Sequence, residues 1–158
     1  MTVKYLVRSK KVHNLLFAYS TDNFRSEQHY LERYPGDKYI DLLGFDTYHR
    51  NAPASDSVFI ANAQRMVATI KKLGQEKNKL YAITETGLEK VTERDWWTRV
   101  LYSIIRDTGL SYVLVWRNGR PDHFYAPFEG QGSAGDFKTF FDYPTTFFEM
   151  DVSTLYKP

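Results

Sequence analysis

The residues best equipped for chemistry stand at the ends of short apolar runs. Lys79-Leu80-Tyr81-Ala82-Ile83-Thr84 is followed at once by Glu85, and the stretch stops at Gly87. A second run, Tyr39 to Phe45, leads into Asp46-Thr47-Tyr48-His49, a third into Ser20-Thr21-Asp22, and a fourth into Trp116-Arg117-Asn118. In parallel α/β proteins, chemistry collects just outside the carboxyl ends of strands, where a side chain is rigidly held yet reachable. A strand that merely ends in a turn needs only Gly, Asn, Asp or Pro. Asp-x-Tyr, Glu and Trp-Arg instead place carboxylates, a phenol, an indole and a guanidinium on one rim. That set suits a polyhydroxylated ligand, with the indole to stack and the polar groups to bond hydroxyls. Glu85 is therefore a candidate nucleophile or general base, against the plainer reading of a surface glutamate closing a strand.

These groups need strands to hold them. Residues 14–20, 39–46, 79–84 and 111–117 read as four buried strands, continuous in apolar character rather than alternating, as in a parallel sheet covered on both faces. Between them, Phe59, Ala63, Met66, Val67, Ile70 and Leu73 form one helical stripe. Trp97, Val100, Leu101, Ile104 and Ile105 form another, preceded by the capping-box pattern Thr92-Glu93-Arg94-Asp95 and closed by Gly109. A shorter helix covers residues 26–33 and ends in the turn Tyr34-Pro35-Gly36-Asp37. A Gly-rich stretch from Asn118 to Gly135 follows the fourth strand, then a helix over residues 136–142 limited by Pro144. Residues 1–13 read as the tail of a helix. The order β-α-β-α-β-α-β-loop-α implies right-handed crossovers and one parallel sheet, an α/β fold.

Bulk properties narrow the function classes. The 158 residues make one domain, and 42% hydrophobic with 25% charged residues is an ordinary globular balance. A net charge of +2 with scattered basic residues gives no nucleic-acid footprint. Cysteine is absent, so disulfides and thiolate metal sites are excluded. No apolar run reaches the ~20 residues of a membrane span. Met1-Thr2-Val3-Lys4-Tyr5 lacks a signal-peptide hydrophobic region. Aromatic residues reach 16%, enough for a core and for stacking surfaces on flat ligand faces such as sugar rings.

Other motifs carry less. Gly130-Gln131-Gly132-Ser133-Ala134-Gly135 matches the dinucleotide fingerprint, but that motif must join a strand directly to a helix, and here Pro127-Phe128 and about a dozen residues intervene. A flexible loop is the expectation. His13, His29, His49 and His123 show no zinc-ligand spacing. His49 and His123 fall near the rim, within reach of sugar hydroxyls, whereas His13 reads as a satisfied residue at a strand start and Trp97 as core.

Tyr39-Ile-Asp-Leu-Leu-Gly-Phe-Asp-Thr-Tyr48, Ala82-Ile-Thr-Glu-Thr-Gly87 and Tyr112-Val-Leu-Val-Trp-Arg-Asn118 closely resemble the sixth, seventh and eighth strands of glycoside hydrolase family 26. His13 to Ser20 resembles its fifth strand. This family consists largely of β-mannanases built as (β/α)8 barrels. The resemblance implies that residues 1–158 are a partial catalytic domain, the C-terminal half of a TIM-type barrel, acting on mannan or manno-oligosaccharides by a retaining mechanism. By the same resemblance Glu85 is the nucleophile, Asp46 and Tyr48 are the Asp-x-Tyr of the sixth strand, Trp116 stacks beneath a sugar, and Arg117 bonds its hydroxyls, while His123 joins the substrate-binding set by its place near the rim. No metal or cofactor is implied, and the family points to a secreted, periplasmic or cell-surface enzyme. Its acid/base glutamate belongs to the fourth strand, and nothing in residues 1–11 matches it. A full barrel runs to ~250 residues, so this chain has room for only four βα units. It is expected to be inactive alone and to form homo-oligomers through exposed half-barrel edges. The alternative is a non-catalytic half-barrel that binds glycans or only self-associates. Within the family's range, xylan and mixed-linkage glucan stay open as substrates beside mannan.

Overall fold

The computed structural model describes residues 2–153. Four strands, β1 (Ala18–Thr21), β2 (Leu42–His49), β3 (Leu80–Leu88) and β4 (Val113–Val115), form one sheet in the order β1-β2-β3-β4. β1 and β2 are parallel, with Ser20 opposite Gly44. The Leu80 amide donates to the Asp41 carbonyl at 3.2 Å, and the Ile83 amide to the Tyr112 carbonyl at 3.2 Å. Helices stand between the strands. A short α1 (Thr2–Lys4) runs into a π-helical turn, Tyr5–Ser9. α2 (Glu27–Leu31) and α3 (Asp56–Lys77) follow. A π-helical segment, Trp96–Leu101, continues into α4 (Tyr102–Ile105), and α5 (Ala134–Phe141) and α6 (Glu149–Val152) complete the chain. Sequential neighbours in one parallel sheet, separated by helices, are the βα order expected from the sequence.

By internal contacts the chain forms two compact units. The first takes in residues up to Tyr48, Ala63–Thr86 and Thr108–Leu114. Its core is the apolar stripe of α3, where Ala63, Met66, Val67, Ile70 and Leu73 are all buried, with Leu42, Leu43 and Phe45 of β2 and Ala82 and Ile83 of β3. Full burial of each larger aliphatic side chain contributes roughly 1.5–3 kcal/mol, which is why this helix holds without ideal caps. α2 is short and needs help. The Ser26 hydroxyl accepts from the His29 amide at 3.2 Å. Tyr30, fully buried, donates its hydroxyl to the Gly44 carbonyl at 3.1 Å, and Tyr19 donates to the Tyr30 carbonyl at 2.8 Å.

The second unit takes in His49–Asn62, Gly87–Asp107 and the chain from Val115 onward. Trp96 and Trp97 are buried at its centre, edge to face with centroids 5.0 Å apart. The Trp97 indole donates to the Ser133 hydroxyl at 3.1 Å, meeting the need of a buried N–H. The long loop after β4 is tied down. Asn118 accepts from the amides of Tyr125 and Ala126 at 3.0 and 2.9 Å, and Tyr125 lies over Gly87, where a Cβ would stand 2.5 Å from its ring. The Gln131 amide group donates to the carbonyls of Lys90 and Val91 at 3.2 and 3.1 Å. Both of those residues sit at positive φ, 63° and 40°. For a β-branched residue such as Val91 this costs on the order of 1–3 kcal/mol, and Gln131 offsets part of it.

Several expectations shift. The first strand begins at Ala18 instead of residue 14, because the Asp41 carboxylate takes the Phe17 amide at 2.8 Å and Leu15 and Leu16 stay exposed. His13 is accordingly an exposed residue ahead of the strand, not a satisfied one at its start. β2 and β3 extend further, to His49 and Leu88, and the fourth strand shrinks to three residues. β1 and β4, at the two ends of the sheet, alternate in exposure and are not covered on both faces. Thr92-Glu93-Arg94-Asp95 is not the cap of the second helix. That role falls to Asp136, whose carboxylate accepts from the amides of Trp97 and Thr98 at 2.9 and 3.1 Å. The glycine motif lies in the tied loop and leads into α5, not from a strand.

Gly44 is tightly constrained. A Cβ there would overlap the Thr84 methyl group and lie 2.9 Å from the Thr84 hydroxyl. Gly44→Ala is expected to destabilise the protein by about 1–3 kcal/mol, the usual penalty of overpacking. Urea unfolding followed by circular dichroism measures it, and an unchanged midpoint would contradict this packing.

Candidate active site

β2 positions the site through its two-residue period, which turns Gly44, Asp46 and Tyr48 to one face. The Tyr48 hydroxyl donates to Glu85 Oε2 at 2.7 Å. Asp46 Oδ1 accepts from the Thr84 hydroxyl at 2.8 Å, the Ser20 hydroxyl lies 3.0 Å from the same oxygen, and the two hydroxyls are themselves 2.6 Å apart. All five residues belong to the first unit, in the carboxyl-terminal halves of β1 and β2 and at the middle of β3, and Asp46, Tyr48, Thr84 and Glu85 are half-buried. The negative charge of Asp46 also reaches Tyr112, whose phenol is raised first by desolvation and then by that charge. Glu85 thus offers a carboxylate steadied on one oxygen by a phenol, with Asp46 anchored beside its own pair of hydroxyls. A carboxylate held this way has the geometry that a nucleophile or a general base requires.

The remaining predicted residues lie in the second unit. Trp116 is half-buried, and the Arg117 guanidinium stands over its ring, 5.8 Å from the centroid. His123 places Nδ1 2.9 Å from Glu89 Oε1 and meets the Tyr125 ring edge to face at 5.3 Å. His49, expected near sugar hydroxyls, is buried instead. As the chain neighbour of Tyr48 it turns to the opposite face of the strand. Its ring stacks on Phe59 with centroids 4.5 Å apart, Nδ1 accepts from the Trp96 indole at 3.1 Å, and Nε2 lies 3.2 Å from Asp56 Oδ1. The expectation that it bonds ligand is thereby corrected.

The sequence assigns no role to Ser20 and Thr84 beyond closing two of the apolar runs, and their contact with Asp46 emerges only in the fold. Among the described residues, no group of three or more His, Cys, Asp or Glu side chains is arranged to hold a metal ion, and no helix is long and apolar enough to cross a membrane.

Comparison with known proteins gives the family and the fold. The sequence profile of glycosyl hydrolase family 26 matches residues 1–90. The chain is 30% identical to a mannan endo-1,4-beta-mannosidase of Bifidobacterium adolescentis, over 89% of this chain and 16% of that protein. It superimposes on a GH26 beta-mannanase from Bacteroides ovatus with TM-score 0.88 and 42% identity, covering 96% of this chain and 44% of that one. The catalytic domain of a GH26 endo-beta-1,4-mannanase from Bacillus sp. JAMB-750 gives TM-score 0.86 at 30% identity, with the same coverage. The chain therefore spans less than half the length of these relatives, and its fold is that of one half of a (β/α)8 barrel.

The buried histidine makes stability depend on pH. Because the Trp96 N–H occupies Nδ1, the neutral ring carries its proton on Nε2. Burial lowers the pKa of His49 below its ordinary 6.5, partly opposed by Asp56 and Glu93. The unfolded chain then binds a proton that the folded chain resists, so this contribution is complete above about pH 6.5 and is lost as pH falls towards the depressed folded value. The urea midpoint should decline from pH 7.5 to 5.5 more steeply in the wild type than in His49→Gln. Equal slopes would remove His49 as the cause.

Proposed function

Because the chain belongs to glycosyl hydrolase family 26, we propose that it is the nucleophile-bearing half of a retaining mannanase. The observation that carries this reading is the 2.7 Å hydrogen bond from Tyr48 to Glu85, in the carboxyl-terminal half of β3, on the side where barrel enzymes keep their catalytic groups. Glu85 attacks the anomeric carbon of a β-1,4-linked mannosyl unit and forms a glycosyl-enzyme. Retaining hydrolysis needs a second carboxyl group about 5–5.5 Å away, first as acid towards the leaving oxygen and then as base towards water. In the proposed enzyme that group comes from the preceding half of the barrel. Tyr48 steadies Glu85 while it is charged and while it is esterified. Arg117 bonds sugar hydroxyls and Trp116 stacks on a sugar face by family resemblance, and Asp46 and His123 bond further hydroxyls by their place among the polar residues that follow the apolar runs. The mannan assignment rests on relatives whose names specify mannan, and a secreted or surface setting follows from the same kinship.

A second reading has its own observation. β1 and β4 each carry an outer edge with no strand partner among the described residues, and Leu15 and Leu16 near β1 are 46% and 74% exposed. Unpaired edges invite association. We propose that the 158-residue chain forms a homodimer or larger oligomer through these edges. Sedimentation velocity should give a mass above that of the monomer, and a sharp monomer at tens of micromolar would end this reading.

The catalytic reading has a separate test. Loss of a general acid lowers rates by about 10²- to 10⁴-fold, so the chain alone should release little reducing sugar from mannan. Joined to the first half of a family barrel, it should hydrolyse mannan with retained anomeric configuration, read by NMR of the first product, and Glu85→Ala should abolish the activity. Vigorous hydrolysis by the isolated chain would refute the need for a second half, and activity surviving Glu85→Ala would remove the nucleophile.

A further inference from the structure

We infer that Ser20 and Thr84 are positioning residues that clamp Asp46 so that one chosen carboxylate oxygen faces the sugar, an inference that rests on the glycosidase reading above. β1 and β3 flank β2, so their backbones are about 9–10 Å apart, too far for short side chains to meet across an ordinary residue. They meet here because the residue between them is Gly44. Ser20 pairs with Gly44 in register, and the Thr84 side chain lies over the same glycine, which leaves the two hydroxyl oxygens 2.6 Å apart. Each then reaches Oδ1 of Asp46, two residues further along β2.

The proton count orders this triangle. Two hydroxyls carry two protons for three short contacts. The two shortest, 2.6 Å between the hydroxyls and 2.8 Å from Thr84 to Asp46, take them, giving the chain Ser20→Thr84→Asp46. A hydroxyl that accepts one hydrogen bond donates the next more strongly, so Ser20 acts on Asp46 through Thr84. Oδ1 is thereby occupied, while Oδ2 accepts no hydrogen bond from any described residue. An ionised carboxylate accepts on both oxygens, and a sugar hydroxyl is the donor that Oδ2 lacks. The clamp fixes the rotamer before ligand arrives, so binding spends less ordering entropy. Thr84 is also the chain neighbour of Glu85, so the same contact ties the sugar-binding carboxylate to the backbone that carries the nucleophile.

Two measurements test this. In the chain joined to its first barrel half, Thr84→Val should lower kcat/KM on mannan about tenfold or more without lowering Tm, since small misplacements are costly in rate. Thr84→Ser, which keeps the hydroxyl, should recover most of that loss. Ser20→Ala should show a smaller loss than Thr84→Val. In an Asp46→Ala background, Thr84→Val should change little further, because the group it positions is gone. Additive losses, or equal losses in Thr84→Val and Thr84→Ser, would overturn the clamp. The second measurement needs no activity. A crystal structure of the 158-residue Thr84→Val chain should show the Asp46 carboxylate rotated, and an unmoved carboxylate would overturn the clamp whether or not mannan is the substrate. Absence of Glu85-dependent hydrolysis together with a rotated Asp46 would instead fault the glycosidase reading and leave the clamp standing.

Discussion

Gly44 is an empty place in the middle strand of a three-strand neighbourhood, and the candidate site is arranged around that emptiness. Without a side chain there, Thr84 can lie across β2 and touch Ser20 from the strand beyond. With Thr84 in that position, Asp46 has its hydroxyl partners and Glu85 follows directly along β3, where Tyr48 reaches it. The opposite side of Gly44 is used as well, since its carbonyl accepts from the buried Tyr30 hydroxyl. One residue with no side chain thus lets side chains of β1 and β3 meet across β2. A glycine in a strand interior weakens the strand intrinsically, and such a position is kept where something must come close.

The parts of the molecule that could be read from the sequence are those that depend on near neighbours. The apolar spacing from Phe59 to Leu73 marks α3, and every residue of that stripe is buried. Glu85, Asp46 and Tyr48 stood out because apolar runs ended in them, and a strand end is a local signal. The alternation rule also contained the answer for His49. If Tyr48 faces one way, its neighbour faces the other, and a histidine turned towards Phe59 and Trp96 is a packing residue.

What could not be read depends on distant partners. Asp136 caps a helix some forty residues before it, so the local pattern at Thr92 to Asp95 was the wrong place to look. Ser20 and Thr84 are unremarkable one at a time. Their meeting follows from the register of β1 on β2 and from the identity of a residue on neither of their strands. The glycine-rich segment is similar. Composition suggests a loose loop, but Asn118, Tyr125 and Gln131 hold it by hydrogen bonds and contacts that reach back as far as Gly87 and Lys90.

The Gln131 contact has a consequence for how that segment comes apart. A single side-chain amide holds both carbonyls of the turn at Lys90 and Val91, and its own oxygen accepts from Ser133. The left-handed backbone at Val91 pushes against this latch continuously. The turn is held from two sides, by Gln131 on its carbonyls and by the Phe124 carbonyl on the Lys90 amide at 2.7 Å, so loss of Gln131 would free both carbonyls at once while the amide contact remained.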